Sequence, residues 1–127
     1  MLKMFFITGV GGFLGSGCRY LVQRLSAHYL PVSFPFGTLF INVTGCLLIG
    51  FLFAAADRSR FFTPEIRMFL IIGLCGGFTT FSTFTLDAYH LLKGGQYLYV
   101  SVYIVLSVTL GILATIAGIW IIKSIWL

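Results

Sequence analysis

Four long apolar stretches divide the chain, at about residues 4–25, 36–56, 66–92 and 97–126. Each reaches the ~20 residues that an α-helix needs to cross the hydrocarbon of a bilayer. Between them lie SAHYLPVSFP, DRSRFFTPE and KGGQ, with the Pro, Gly and charge of short connections. Pro64 stands where a helix can begin, with Thr63 as N-cap and Glu65 in the first turn. The pattern predicts an all-α membrane protein, one four-helix transmembrane domain over residues 1–127. The third stretch departs from the other three. It reads IIGLCGGFTTFSTFTLDAYHLL, with Gly76 and Gly77 near its middle and hydroxyls at Thr79, Thr80, Ser82, Thr83 and Thr85. A lone Ser or Thr bonds to its own preceding turn, but a cluster predicts a polar path or a break. The Gly pair lowers the cost of unwinding there. Unwound backbone at membrane depth is tolerated only where it is buried in protein or lines a cavity, and it can present carbonyl oxygens to a cation.

Composition strengthens the membrane reading. Hydrophobic residues make up 59% of the chain and charged residues 9%, with a mean hydropathy of +1.05. A soluble domain carries about 25% charged residues, so lipid is the solvent for most of this surface. This also disposes of an enzyme reading that short strings invite. ITGVGGFLG (Ile7 to Gly15) has the look of a dinucleotide-binding turn, and YHLLK (Tyr89 to Lys93) has a Tyr-x-x-x-Lys pair. A dinucleotide site needs a strand before the glycines and an acid about 20 residues beyond them; here the first acid of any kind is Asp57. The first stretch also lacks a small-residue cleavage site, so it reads as a span and not as a removed signal peptide. Cys18, Cys46 and Cys75 each lie in apolar surroundings without CxxC spacing and read as small buried hydrophobes, not as disulfide or metal ligands.

In lipid the glycines have another use. Gly9, Gly11, Gly12, Gly15 and Gly17 form flat patches on a helix, Gly11 and Gly15 with GxxxG spacing, which lets backbones pack closely. Phe81 and Phe84 share a face of the third helix. They are either ordinary packing or ring edges, partly positive, aimed into an anion path. Asn42 lies well inside the second span and is either helix–helix glue or a site residue, its amide supplying two donors. Arg19 either snorkels to the interface or attracts anions into a vestibule. No carboxylate sits at the centre of any span, and the first span has no acid at all. That argues against an exporter of cationic drugs and favours an anion. With an even number of spans, one side carries Lys3, Arg58, Arg60, Arg67 and Lys123, and the other Arg24, Lys93 and, if it snorkels, Arg19. So weak a positive-inside bias is compatible with insertion in both orientations and also with a fixed topology.

GGFLGSGCRY (Gly11 to Tyr20), GTLFINVTG (Gly37 to Gly45) and above all GLCGGFTTFSTF (Gly73 to Phe84) together resemble the Fluc family of fluoride channels, also called CrcB. The resemblance covers the whole chain. It implies an antiparallel, dual-topology homodimer in the cell inner membrane, with a broken third helix and two separate fluoride pores. It further implies that Asn42, Phe81 and Phe84 line the anion path, and that Ser82, Thr83 and Asp87 form a polar track with Tyr103 and Ser107. Asp87 stands where relatives often carry Glu, and Gly111 where some carry Ser. The carbonyls of Gly76 and Thr79 match those that hold a structural Na+ at the dimer interface, and Arg19 matches an arginine near the vestibule. The implied function is passive export of fluoride from the cytoplasm, with no enzymatic activity and no nucleic-acid partner. The alternative reading is a small proton-coupled anion transporter with Asp87 or His90 as proton carrier. A third is a membrane assembly protein that transports nothing.

Overall fold

The computed structural model describes residues 1–126. Among these the chain forms helices and short connections only, with no strand. Helix α1 is Leu2–Tyr29 and α2 is Phe36–Arg58. Helix α3 (residues 64–78) is composite: an α-helical turn Pro64–Arg67, a π-helical segment Met68–Cys75 and a final α-helical turn Gly76–Phe78. Helix α4 is Phe81–Lys93, and α5 is Tyr97–Ile125. Because α3 and α4 run on as one unit, Pro64–Lys93, the chain has 4 helical units long and apolar enough to cross a membrane. Glycines Gly9 to Gly15 lie in the middle of α1 with no strand before them, so the dinucleotide-turn likeness has no structural counterpart.

Local chemistry sets the ends of α3 and α4. Pro64 occupies the first turn, and Thr63 caps it by accepting from Ile66 N at 3.4 Å. The break is the extended pair Thr79 (φ −76°, ψ 157°) and Thr80 (φ −151°, ψ 123°). The unwound residues are therefore two to three positions past the Gly pair, which stays in the last turn of α3. Thr80 suits the break because its hydroxyl caps α4, accepting from Thr83 N at 3.2 Å. Gly77 is needed for packing: a Cβ there would stand 2.9 Å from Gly12 Cα.

Two helix pairs are held backbone to backbone. On α1, Gly11 and Gly15 are buried against α3. A Cβ at Gly15 would fall 2.8 Å from Phe78 N, and one at Gly73 would fall 2.7 Å from Thr8 O. Gly9 and Gly17 face open space, so only part of the expected glycine patch is used. Gly50 of α2 meets the Thr115 carbonyl of α5, and a Cβ at Gly118 would stand 2.9 Å from Phe51 N. Close approach of this kind drives association where lipid supplies no hydrophobic difference between helices. The buried side chains Ala88, Leu91, Val100 and Tyr103 join α4 to α5, with Phe34, Leu39 and Phe84 packed on them. Elsewhere the large apolar side chains face outward, among them Phe5, Phe13, Phe53, Ile112 and Trp120, as lipid contact requires. Cys18 is exposed with them, against the expectation of burial, one turn past Gly15, which already meets the last turn of α3 at Gly77 and Phe78.

Both termini lie at one end of the bundle. There Lys3 Nζ meets Glu65 Oε1 at 2.9 Å, Arg58 Nη1 donates to Trp126 O at 3.1 Å, and Arg67 pairs with Asp57 at 3.8 Å. Arg67 also donates to the Ala56 carbonyl. Exposed ion pairs contribute little stability; these tie the helix ends together at the membrane surface.

Candidate functional site: the cavity at the break in the third helix

A break in a membrane helix frees backbone groups that must find partners. Asn42 of α2 takes both backbone polar groups of Thr80: its Nδ2 donates to Thr80 O at 2.9 Å, and its Oδ1 accepts from Thr80 N at 2.8 Å. Arg19 of α1 donates through Nη1 to Thr79 O at 3.2 Å. Arg19 is thus turned toward the break and does not snorkel outward: Thr79 O, freed by the unwound backbone, offers its guanidinium a partner inside the protein. Ser16 Oγ lies 3.4 Å from Gly77 O. The Thr79 hydroxyl bonds back to Cys75 O at 2.9 Å. Gly76 O is left over. Its helical donor would be Thr80 N, which is given to Asn42, and no other donor reaches it among the described residues.

Beside the break lies a hollow of about 560 Å³. Asn42, Cys46, Cys75, Gly76, Thr79, Thr80, Phe81, Phe84 and Ser107 line it together with Ile49, Ile71 and Ile72. No Lys, Arg, His, Asp or Glu is among the lining residues. The Phe81 and Phe84 ring centroids are 5.6 Å apart with a 38° tilt. Phe81 is 75% exposed, so in a single chain the hollow is open on that side. Ser107 Oγ is buried without a hydrogen-bond partner among the described residues. Helix α4 starts at Phe81, and its N-terminal amides put the positive end of the helix dipole beside the hollow.

Thr83 and Asp87 are elsewhere. They line a second hollow, of about 270 Å³, with Gln23, Ser26 and Thr38. Asp87 also borders a third, with Ser33, His90 and Gln96. Tyr103 joins the two regions. It is 0% exposed, its ring centroid lies 5.1 Å from that of Phe84 with a 48° tilt, and its Oη donates to Asp87 Oδ2 at 3.1 Å. Ser82 is exposed, with Oγ 3.3 Å from Thr80 Oγ1. The structure therefore brings Asn42, Phe81, Phe84, Ser107, Gly76 and Thr79 around one hollow and sets Thr83 and Asp87 around another. Sequence reasoning passed over Thr38, which is 5% exposed, and Ser16. Thr38 was readable as the residue one turn before Asn42 on the same helix face. Ser16 gives no such signal, since its partner is a backbone carbonyl 61 residues away.

Comparison with known proteins agrees with this architecture. Residues 6–119 match the family model described as "CrcB-like protein, Camphor Resistance (CrcB)". The chain is 49% identical over 125 residues to "Fluoride-specific ion channel FluC 1" of Nitrobacter hamburgensis, covering 96% of this chain and 98% of that protein. It is 48% identical over 127 residues to "Fluoride-specific ion channel FluC" of Nitrobacter winogradskyi, covering 98% and 100%. To the protein of the same name from Flavobacterium psychrophilum it is 42% identical over 124 residues, again covering 98% and 100%. With four membrane-length helical units, a third interrupted at Thr79–Thr80 and a match over most of its length, the chain belongs to the CrcB family.

Proposed function

We propose that the protein is a fluoride-selective channel of the cell inner membrane, passing the anion out of the cytoplasm down its electrochemical gradient. Relatives over nearly the full length carry the name fluoride-specific ion channel. The observation that carries the reading is the hollow at the break. Asn42, Ser107, Phe81 and Phe84 line it among apolar side chains, and no formally charged side chain does. Fluoride is small and holds its water tightly. A pore for it must replace that shell with several donors yet release the ion. A fixed Lys or Arg in the filter would hold it; neutral donors exchange it.

The residues supply these donors in a definite way. Ser107 Oγ has no protein partner and is free to turn its hydrogen into the hollow. Asn42 uses one amide hydrogen on Thr80 O; an amide has two, so Asn42 serves both as glue and as donor. The edges of Phe81 and Phe84 carry partial positive charge. Arg19 and the net charge of +5 raise the anion concentration near the mouths. Thr83, Asp87 and Tyr103 continue a polar track away from the rings, with the Tyr103–Asp87 hydrogen bond as its fixed point.

Two further parts of the reading concern assembly. The exposed Phe81 and the open side of the hollow support closure by a second copy of the chain, inserted in the opposite orientation, so that each pore takes groups from both subunits. A Na+ ion at that interface would take backbone oxygens, as hard cations do. Gly76 O fits, because no donor reaches it among the described residues. Thr79 O fits through its second lone pair, the first being used by Arg19. Bound there, Na+ would add positive potential and hold the two breaks together.

Hydrogen fluoride crosses membranes uncharged and ionises inside. A passive path then lets the trapped anion leave, driven by the negative membrane potential. The test is fluoride efflux from liposomes holding the purified protein, with chloride as control. The channel reading expects fast fluoride efflux without a pH gradient and little chloride. Efflux that requires a pH gradient would instead establish the proton-coupled transporter, and none at all would leave only an assembly role.

A further inference from the structure

The hollow at the break contains chemistry that anion passage does not use. Of the cysteines, Cys18 is exposed on α1, whereas Cys46 and Cys75 both line this hollow. They flank one contact between α2 and α3. Gly45 packs on the Thr79 side chain, and Cys46 follows it directly on α2. Cys75 lies one turn before Thr79, and its carbonyl accepts from Thr79 N and from Thr79 Oγ1, each at 2.9 Å. Cys46 Sγ is turned toward α5, where a Cβ on Gly111 would stand 3.4 Å away.

No charged side chain lines the hollow, so a hard cation finds no carboxylate there. A soft metal ion behaves differently: it prefers sulfur to oxygen or nitrogen and displaces the thiol proton itself. Charge decides which ion fits. Hg2+ with two thiolates is linear and neutral, and a neutral complex avoids the penalty for charge in apolar surroundings. Ag+ or Cu+ on the same pair leaves a net negative charge. Zn2+ needs four ligands, and no group of three or more His, Cys, Asp or Glu is poised for a metal among the described residues. We propose that Cys46 and Cys75 form a two-sulfur site for Hg2+ within the anion path, and that filling it stops fluoride passage. The binding half stands alone; the blocking half rests on the channel reading. In the binding step both S–H bonds break, each sulfur keeps its electron pair and forms a bond to mercury, and two protons leave to water. Nothing is oxidised or reduced.

The experiment uses the full chain carrying Cys18→Ala, which removes the exposed thiol, titrated with mercuric chloride. Intact mass and proton release are expected to show one Hg2+ bound per chain with two protons released. Adding Cys46→Ala or Cys75→Ala should weaken retention against glutathione at least a hundredfold. In liposomes, stoichiometric Hg2+ should cut fluoride efflux at least tenfold relative to the same protein untreated, with recovery on adding dithiothreitol. The variant lacking all three thiols should not respond, measured against its own untreated rate. The site is overturned if either single-thiol variant holds Hg2+ as tightly as the pair. If Hg2+ binds as stated and efflux is unchanged, the blocking half falls, because the hollow is then not the path. If the untreated protein passes no fluoride, the channel reading falls while mass and proton release still decide the site.

Discussion

Asn42→Leu removes the amide that clasps the break while keeping its branched shape and its number of heavy atoms. Two hydrogen bonds are lost, of 2.9 and 2.8 Å, both to the backbone of Thr80. Side-chain hydrogen bonds between membrane helices average about 0.6 kcal/mol each, which sets a floor near 1 kcal/mol for the pair. Leaving a backbone donor and acceptor buried without partners costs about 1–3 kcal/mol apiece, or roughly 2–6 kcal/mol together. Thr80 is only 7% exposed, so water does not readily replace the amide, and the upper range applies. That is enough to let α3 and α4 move apart at Thr79–Thr80, or to refold the break into a helix with Thr80 N returned to Gly76 O. Either outcome displaces Phe81 from the hollow. The expected result is a clear fall in the thermal midpoint of the detergent-solubilised protein and loss of most fluoride efflux. Asn42→Asp is the companion variant. Its carboxylate still accepts from Thr80 N but turns a second oxygen toward Thr80 O, and, ionised, it repels the anion. Wild-type thermal midpoint and wild-type efflux in Asn42→Leu would refute both the clasp and the pore-lining role.

Phe81→Ile and Phe84→Ile should each abolish or strongly reduce efflux in liposomes while circular dichroism and elution volume stay unchanged; wild-type efflux in both would remove the ring-edge mechanism. Gly15→Ala drives a methyl to 2.8 Å from Phe78 N and against the Leu74 carbonyl. Overpacking costs about 1–3 kcal/mol, so the melting midpoint should drop, whereas Gly9→Ala, in open space, should leave it in place. Tyr103→Phe deletes the hydrogen bond to Asp87, and bonds to charged groups contribute about 1.5–3 kcal/mol. Fluoride efflux should fall several-fold, with a smaller loss of thermal stability than in Asn42→Leu. Replacing Na+ by N-methylglucamine in the purification buffer should shift cross-linked dimer toward monomer, and an unchanged ratio would argue against a Na+ held by Gly76 O and Thr79 O.

Some of this site was open to reading from the residues and some was closed, for a physical reason. Membrane span is a one-dimensional property: a helix of given length needs a run of apolar residues of that length, and four such runs were in plain view. The cap at Thr63 and Pro64 is equally local. The GxxxG pair Gly11 and Gly15 announced a close contact, but Gly9 and Gly17 looked the same on paper. Only the rotation of α1 against α3 separates them, leaving two buried and two in open space. That rotation depends on the partner helix, whose π-helical segment Met68–Cys75 has no marker in an unbroken apolar run. The position of the break was legible to within a turn. It falls on Thr79 and Thr80 because Gly77 is committed to α1 and because a threonine can cap the helix that follows.

The open question at Asn42 and Arg19 was direction, and direction comes from partners distant in sequence. Asn42 reaches a backbone 38 residues away and Arg19 one 60 residues away. In both cases the partner is a main-chain group that exists as a partner only because the third helix is broken. This couples structure and transport. The unwound pair creates unpaired backbone groups; Asn42, Arg19 and Ser16 are drawn inward to satisfy them; and the helix restarted by Thr80 points its N-terminal end and the Phe81 ring at the same hollow. Repairing the break with residues that restore a continuous helix would therefore free Asn42 and Arg19 and withdraw Phe81 together. A folded protein that no longer passes fluoride is the expected product of replacing Thr79 and Thr80 by Ala. A continuous-helix variant that still conducts would uncouple the break from the path.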